Sequence, residues 1–160
     1  MIKLIPAEHD DKWWIWENRN AEFIRKRSAN QQAISRESHA TWWSLHSKQG
    51  RHIYLIVDDC ERIGAVILKK NPSAKPSVDL SLWLVQTQTG KGIGKQVLDL
   101  CEKEVKDLGR SIIEACVMDH NYPSLVMFIK HGYKIVGHEP IPNTMTGDLN
   151  NIYYLEKPLC

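Results

Sequence analysis

Apolar and polar positions along this chain follow two periods, and the switches between them mark its elements. Ile2 to Pro6 reads as a short strand, and a helical spacing begins near Asp10. A second helical region runs from Ser35 to Lys48, with Ser35 placed to cap its first turn. Three strands follow, His52 to Asp58, Arg62 to Lys70 and Val78 to Val85, on the strength of their β-branched and apolar content. An amphipathic helix then covers Lys91 to Leu108. After it come a buried strand (Ser111 to Met118), a helix (Pro123 to His131) and strands at Tyr133 to Glu139 and Ile152 to Lys157. The main breaks, Asn71 to Pro76 and Glu139 to Asn150, are rich in Pro, Asn, Gly or Thr and read as loops. A meander followed by βα units implies an α/β fold: a mixed central sheet of about seven strands with helices on both faces. No repeat or linker divides the chain, so residues 1–160 are expected to form a single domain.

The junction Thr89-Gly90-Lys91-Gly92-Ile93-Gly94 changes this picture from fold to chemistry. Glycines between a strand and a helix let the backbone approach an anion closely. The first helical turn leaves several N–H groups without intrahelical partners, and the positive end of the helix dipole adds to their pull on a phosphate. The spacing is not that of a dinucleotide fingerprint, because Gly90, Gly92 and Gly94 alternate and Val97 stands where the third glycine would fall. A Walker-type loop is absent as well. The junction therefore predicts a grip on some other phosphate-bearing cofactor, although taken alone it also fits a plain glycine-rich turn.

Charge and cysteines exclude several other classes. The 21 Lys and Arg against 19 Asp and Glu leave a net charge of +2, with the two signs interspersed. No basic stripe favours nucleic acid. No apolar run reaches the roughly 18 residues of a membrane span, and no signal-peptide pattern opens the chain. Cys60, Cys101, Cys116 and Cys160 have neither metal spacing nor disulfide density, and read as reduced thiols of a cytoplasmic protein with Cys101 and Cys116 in its core. His9, His46, His52, His131 and His138 show no ligand spacing, so no metal site is expected.

Two sequence blocks, together with the order of elements, resemble the GNAT superfamily of acyl-CoA-dependent N-acetyltransferases. The resemblance covers nearly the whole chain and is densest from Asp79 to Tyr133. In the first block, Gly92 and Gly94 fill the glycines of an Arg/Gln-x-x-Gly-x-Gly/Ala loop, with Thr89 where Arg or Gln is usual. In the second, Asn121, Ser124, Phe128, Gly132 and Tyr133 follow an Asn-x-x-Ala/Ser-x-x-x-Tyr-x-x-x-Gly-Phe/Tyr pattern. The resemblance implies that acetyl-CoA is the cofactor and that backbone amides of Thr89 to Gly94 hold its pyrophosphate, flanked by Lys91 and Lys95. It also implies that Asn121 contacts the pantetheine or phosphate arm and that Ser124 lets its helix pack beside the cofactor. Leu82, Trp83 and Leu84 would lie on a bulged strand that parts from its neighbour and receives the acetyl and pantetheine arm. At Phe128 the family often has Tyr, whose hydroxyl protonates the departing thiolate. Phenylalanine cannot do so; a thiol with pKa near 8.5 can leave as its thiolate, or Tyr122, Tyr133, Tyr153 or Tyr154 could supply a hydroxyl, and the acid stays unassigned.

Acetyl transfer to an amine needs a base, because an ordinary ammonium titrates near 10, and donors for the oxygen that gains charge. Asp79, Ser81, Trp83 and Val85 alternate onto one face of their strand, and Leu80, Leu82 and Leu84 onto the other. Asp79 is the expected base, as the one carboxylate in an apolar strand. Ser81 could position a relaying water, His120 is the substitute base, and an Asp at the solvent-facing start of a strand is the plainer alternative. For the acceptor, Asn18, Arg25, Ile34, Ser35, His39, Trp42 and Trp43 resemble the GNAT subgroup that acetylates nucleotide-linked deoxyamino sugars, as in pseudaminic acid biosynthesis. Tryptophan faces suit sugar or base stacking, and Arg and His suit phosphate oxygens. The same residues also fit ordinary packing of helices on the sheet. The expected protein is an N-acetyltransferase acting on a small-molecule amine, preferably such a sugar. The alternatives are a protein N-terminal or small-amine acetyltransferase and a catalytically silent CoA-binding module. Exposed strand edges leave a homodimer open.

Overall fold

The structure, a computed structural model, describes residues 1–143 and 145–160; Thr144, in the loop expected between the last two strands, lies outside them. Seven strands build one sheet: β1 (Ile2–Pro6), β2 (Arg51–Asp58), β3 (Glu61–Lys70), β4 (Ser77–Leu84), β5 (Ile112–Met118), β6 (Lys134–Pro142) and β7 (Leu149–Pro158). Their spatial order is β1-β2-β3-β4-β5-β7-β6. Neighbours run antiparallel except β4 and β5, which are parallel and joined by a helical crossover. The uninterrupted burial of Ile53 to Val57 in β2 follows from cover on both faces.

Five helices supply that cover: α1 (Lys12–Arg19), α2 (Glu22–Arg25), α3 (Arg36–Leu45), α4 (Ile93–Asp107) and α5 (Tyr122–Lys130). The apolar stripe Ile93, Val97, Leu98, Cys101 and Val105 seats α4 on Ile56, Leu68, Leu80 and Ile113, with Phe128 of α5 and Tyr133 beside it. Across the sheet, Ile15, Ile24 and Trp43 of α1, α2 and α3 meet Ile53, Leu55, Ala65 and Trp83. Ser35 caps α3 as its sequence predicts, its hydroxyl accepting the Ser38 N–H at 3.1 Å.

Several expectations need correcting. The helix near Asp10 opens as a 3-10 turn, His9–Asp11, closed when the Glu8 N–H donates to the Asp11 carboxylate at 2.8 Å. The α4 helix starts at Ile93 rather than Lys91, because Gly92 takes a left-handed φ of 75° that ends the loop. Strands β6 and β7 run further into the expected loop, pairing as far as Pro142 with Leu149. Cys101 is buried, but Cys116 is exposed: its face of β5 carries no helix at that point.

Candidate active site

The sheet opens in one place. Strand β4 pairs with β5 only from Ser77↔Ile112 to Leu80↔Ala115, although β4 continues to Leu84 and β5 to Met118. Both strands keep their outer partners, β3 to Leu84 and β7 to Met118, so the parting is confined to this pair. The Val85 N–H donates to the Ile63 carbonyl at 2.8 Å, which fixes the phase of the β3–β4 ladder. Ser81 and Trp83 turn their main-chain groups to β3, while Leu82 and Leu84 turn theirs towards the strand that has left. No bulge interrupts β4: its register with β3 is continuous, as is that of β5 with β7, and the two strands part after Leu80 and Ala115. Trp83 therefore offers the gap neither backbone nor side chain. Its ring is buried on the opposite face and stacks on Trp14 at 5.8 Å.

At the mouth of the gap lies the glycine junction. Gly90 and Gly92 both have a φ of 75°, Lys91 between them does not, and an added side chain at either glycine would meet nothing within 4 Å. Alternating handedness turns successive N–H groups towards a common point, which makes a concave donor site for an anion. Among the described residues, no backbone or side-chain acceptor takes the N–H of Gly90, Lys91 or Gly92, and the first N–H groups of α4 add to them. Thr89 faces the other way, its hydroxyl donating to the Gln86 carbonyl at 2.8 Å. Lys91 and Lys95 are exposed at the rim, whereas the Ile93 side chain is buried.

Gly94 has a different task from its neighbours. A Cβ there would lie 2.2 Å from Met127 Sδ, so this glycine lets α4 press against α5. Gly94→Ala should cost about 1 kcal/mol, since the thioether can swing aside. Combining it with Met127→Ala should recover part of that loss, with a coupling of about 0.5 kcal/mol or more in a double-mutant cycle read by denaturant unfolding. Strict additivity of the two losses would show that the contact is unimportant.

The α5 block reaches the same opening. Asn121 precedes α5 without capping it, and its amide makes no hydrogen bond among the described residues. It is half-buried, as is Ser124 one turn later. Phe128 is closed into the core, 4 % exposed and edge-on to Tyr133 at 4.9 Å. The Tyr133 hydroxyl is buried without a partner among the described residues, and burial pushes its pKa far up. Tyr154 hydrogen-bonds Glu139, which raises its pKa to about 12.

Asp79 stands one residue before the last β4–β5 pair, opposite Glu114, at the closed end of the gap. Its carboxyl is exposed on the open face of the sheet. The surrounding protein nonetheless displaces enough water to raise its pKa; the Glu114 carboxylate adds to this and Lys69 opposes it. Burial pushes Glu114 up too, but hydrogen bonds from Lys75 and Ser77 outweigh it and leave its pKa lowered. Lys75 sits 2.8 Å from Glu114 and 3.1 Å from Glu156. Two neighbouring carboxyls are thus driven apart, Glu114 held as the anion and Asp79 eased towards proton uptake. Ser81 is exposed one step along the same face. Cys116 joins it across the opening; although its side chain is exposed, the surrounding protein displaces enough water, and Asp79, Glu114 and Glu139 add enough negative charge, to raise its thiol to about 11.

The residues expected to bind acceptor are distributed differently. Trp43 is buried in the core under α3. The buried His39 donates its Nε2–H to the Lys12 carbonyl at 2.9 Å, and burial lowers its pKa, so it ties α3 to α1 as a neutral ring. Trp42 is half-buried on a groove along α3, and Asn18 donates to the Trp14 carbonyl at 2.9 Å. Arg25 is the last residue of α2, close enough to Arg19 for its charge to lower the Arg19 pKa. His120, the substitute base, donates its Nε2–H to the Lys26 carbonyl at 2.7 Å and places Nδ1 3.4 Å from the Asp119 carboxylate. Asn20, which the sequence reading passed over, holds Ile34 by two hydrogen bonds of 2.7 and 2.9 Å and so shapes the loop before α3. An Asn in a helix-to-loop stretch was the available signal.

Asp99, Glu102 and His131 bring their ligand atoms within 4.8 Å of one another between α4 and α5, but Lys157 already pairs with Glu102 there. No helix among the described residues is long and apolar enough to cross a membrane.

Comparison with known proteins converges on one family. Residues 10–133 match the model of the acetyltransferase (GNAT) family. Over 158 residues, 96 % of each chain, the protein is 26 % identical to "Putative phosphinothricin acetyltransferase YwnH" of Bacillus subtilis (strain 168). The fold is shared with the spermidine N-acetyltransferase of Vibrio cholerae, solved with CoA and spermine, at a TM-score of 0.88 and 15 % identity over 98 % of this chain and 95 % of that one. It is shared too with a phosphinothricin acetyltransferase of Sinorhizobium meliloti solved with AcCoA, at a TM-score of 0.82 and 19 % identity over 99 % and 88 % of the two chains. With its parted β4 and β5 strands and open glycine junction, the chain belongs to the GNAT acetyltransferase family, as an N-acetyltransferase that uses acetyl-CoA.

Proposed function

We propose that the protein acetylates the primary amine of a small molecule by direct transfer from acetyl-CoA, with no covalent enzyme intermediate. The parting of β4 from β5 after Leu80 carries this reading. Acetyl-CoA, when bound, supplies the activated thioester. The open donors of Gly90 to Gly94 would hold its pyrophosphate, Asn121 its arm, and the main-chain N–H groups of Leu82 and Leu84 the acetyl end. Such preset donors stabilise an oxygen that gains charge because they need no reorganisation during reaction. Asp79, exposed below the opening, would take the ammonium proton directly or through a water on Ser81. Cys116 is unsuited to act as a nucleophile, because a thiol raised to about 11 is protonated near neutral pH.

The acceptors named for the relatives, phosphinothricin and spermidine, are small amines, and an acceptor of that size is our first reading here. A nucleotide-linked deoxyamino sugar is the second, favoured by the half-buried Trp42 ring along a groove of about 460 Å³. Incubating the protein with acetyl-CoA and a panel of phosphinothricin, spermidine, nucleotide-linked 4-amino sugars and peptides with free N-termini decides between them. Products are read by the mass gain of one acetyl group. Acetylation of small amines is the expected result; product from the nucleotide sugars alone would promote the second reading, and from peptides alone would overturn both.

A further inference from the structure

The short helix α2 lies across the end of the opening. Its N-terminal side, with Asn18, shares a cleft of about 260 Å³ with Val85 and Gln86, the residues that follow β4. At its other end the Lys26 carbonyl accepts the hydrogen bond from His120, in the loop that follows β5. Arg19 ends α1 and Arg25 ends α2, so both belong to this bridge. Each guanidinium has a nitrogen shut off from water that bonds nothing, Nη1 of Arg19 and Nε of Arg25. Of all their donors, the described residues use one, a long bond of 3.5 Å from Arg25 Nη1 to the Gln31 carbonyl. Neither arginine has a carboxylate within ion-pair distance among the described residues; of the acids close by in sequence, Glu17 pairs with neither and Glu22 is engaged by Lys26 at 3.0 Å. Burial lowers the pKa of Arg19, and the charge of Arg25 lowers it further. Both side chains are half-buried, and a cationic nitrogen shut off from water without a partner is costly, so proteins pair such groups or leave them for a ligand.

We infer that Arg19 and Arg25 form an anchor for an oxyanion on the acceptor, a carboxylate, phosphinate or phosphate, whose amine then reaches towards the parted strands. The inference rests on the acetyl-transfer reading above and narrows its substrate class to amines that also carry an anionic group. Guanidinium forks match such groups in a bidentate manner, and contacts of this kind made equally in substrate and transition state appear in KM rather than kcat.

The test compares phosphinothricin, which carries anionic groups, with spermidine, which carries none. Arg19→Met and Arg25→Met should each raise the KM for phosphinothricin on the order of 10- to 100-fold, the weight of hydrogen bonds to charged groups, with kcat lowered far less. Arg19→Lys should recover part of the loss by restoring the charge without the fork. KM for acetyl-CoA should stay put, which separates an acceptor anchor from a phosphate contact to the cofactor. Lys3→Met, on the outer strand β1, removes the same charge and should change neither constant. Independently of turnover, with CoA saturating the glycine junction, inorganic phosphate should raise the unfolding midpoint of the wild-type protein in a saturable way, and of neither Met variant. Three results would overturn the anchor: preference for spermidine over phosphinothricin, equal KM increases for charged and uncharged amines, or higher thermal stability in both variants with KM and the phosphate response unaltered. Acetylation of spermidine alone would remove the anchor and leave acetyl transfer standing; with no product from any amine, the phosphate response decides the anchor by itself.

Discussion

Asp79→Asn should lower kcat by about 10²- to 10⁴-fold, the usual weight of a positioned base, while leaving acetyl-CoA affinity close to wild type. Asp79 is set beside the last residues that hold β4 to β5, on the face opposite Leu80, Leu82 and Leu84, with its side chain exposed. Burial first and the Glu114 carboxylate second raise its pKa, which brings a carboxylate nearer the strength needed to take an ammonium proton. The base must be ionised to act, so kcat/KM should fall with decreasing pH through the Asp79 pKa. That acidic limb should lie above the ordinary carboxylate range and vanish in the Asn variant. The stability effect has the opposite sign. A carboxyl whose pKa is raised on folding favours the native state only while protonated, and that benefit is lost as pH rises through the raised value. At neutral pH the ionised Asp79 is therefore a burden on the fold, and Asp79→Asn should unfold no earlier than wild type. An unchanged kcat with an intact acidic limb would transfer the base role elsewhere.

How much of this was legible beforehand depended on the range of the interaction. Period and turn chemistry are local, and they located all seven strands, the Ser35 cap and the glycine junction. The parting of β4 from β5 is not local. Nothing in Ser77 to Leu84 distinguishes a strand paired along its whole length from one whose partner leaves halfway, and only the resemblance of Gly92, Gly94 and Asn121 to a known family pointed there. Trp83 shows the limit of pattern reading. Alternation correctly separated it from Leu82 and Leu84, but which face carried which helices was settled by the cores under α1 to α3 and under α4 and α5. The same limit applies to His39 and Trp43, which have the chemistry of ligand binders and are held in packing by contacts some distance along the chain. Arg19 carried no sequence signal at all. A single arginine at a helix end is ordinary, and its interest comes from the absence of a partner in three dimensions.

Gly64→Val should be the most damaging single change to the opening itself, although the residue lies on β3 and carries no functional group. Any Cβ at this position would fall 2.2 Å from the Trp83 carbonyl oxygen, with Leu84 Cα at 3.1 Å and Ile56 Cδ1 also at 3.1 Å. At Gly94 the obstructing atom is the swinging end of a methionine; here it is main chain. Gly64 pairs with Leu84 in an unbroken ladder, so β4 can yield only by moving away from β3 over the stretch that presents Leu82 and Leu84 to the gap. A side chain forced into a filled core costs about 1–3 kcal/mol, and backbone obstruction places this site at or above the upper end. A loss of about 3 kcal/mol in a chain of this size corresponds to an unfolding midpoint lower by roughly 6–12 °C. Below that midpoint the folded fraction should still be a poor catalyst. Moving reacting groups by about 1 Å can cost on the order of 100-fold, so kcat/KM for acetyl-CoA should fall by that order even at 10 °C. Gly64→Ala should show the same pattern at reduced size, since it shares the Cβ and lacks the branches. Wild-type melting and wild-type kcat/KM in the Ala variant would mean that β3 and β4 stand further apart than 2.2 Å implies, and that the position of Leu82 and Leu84 is set from the β5 side alone.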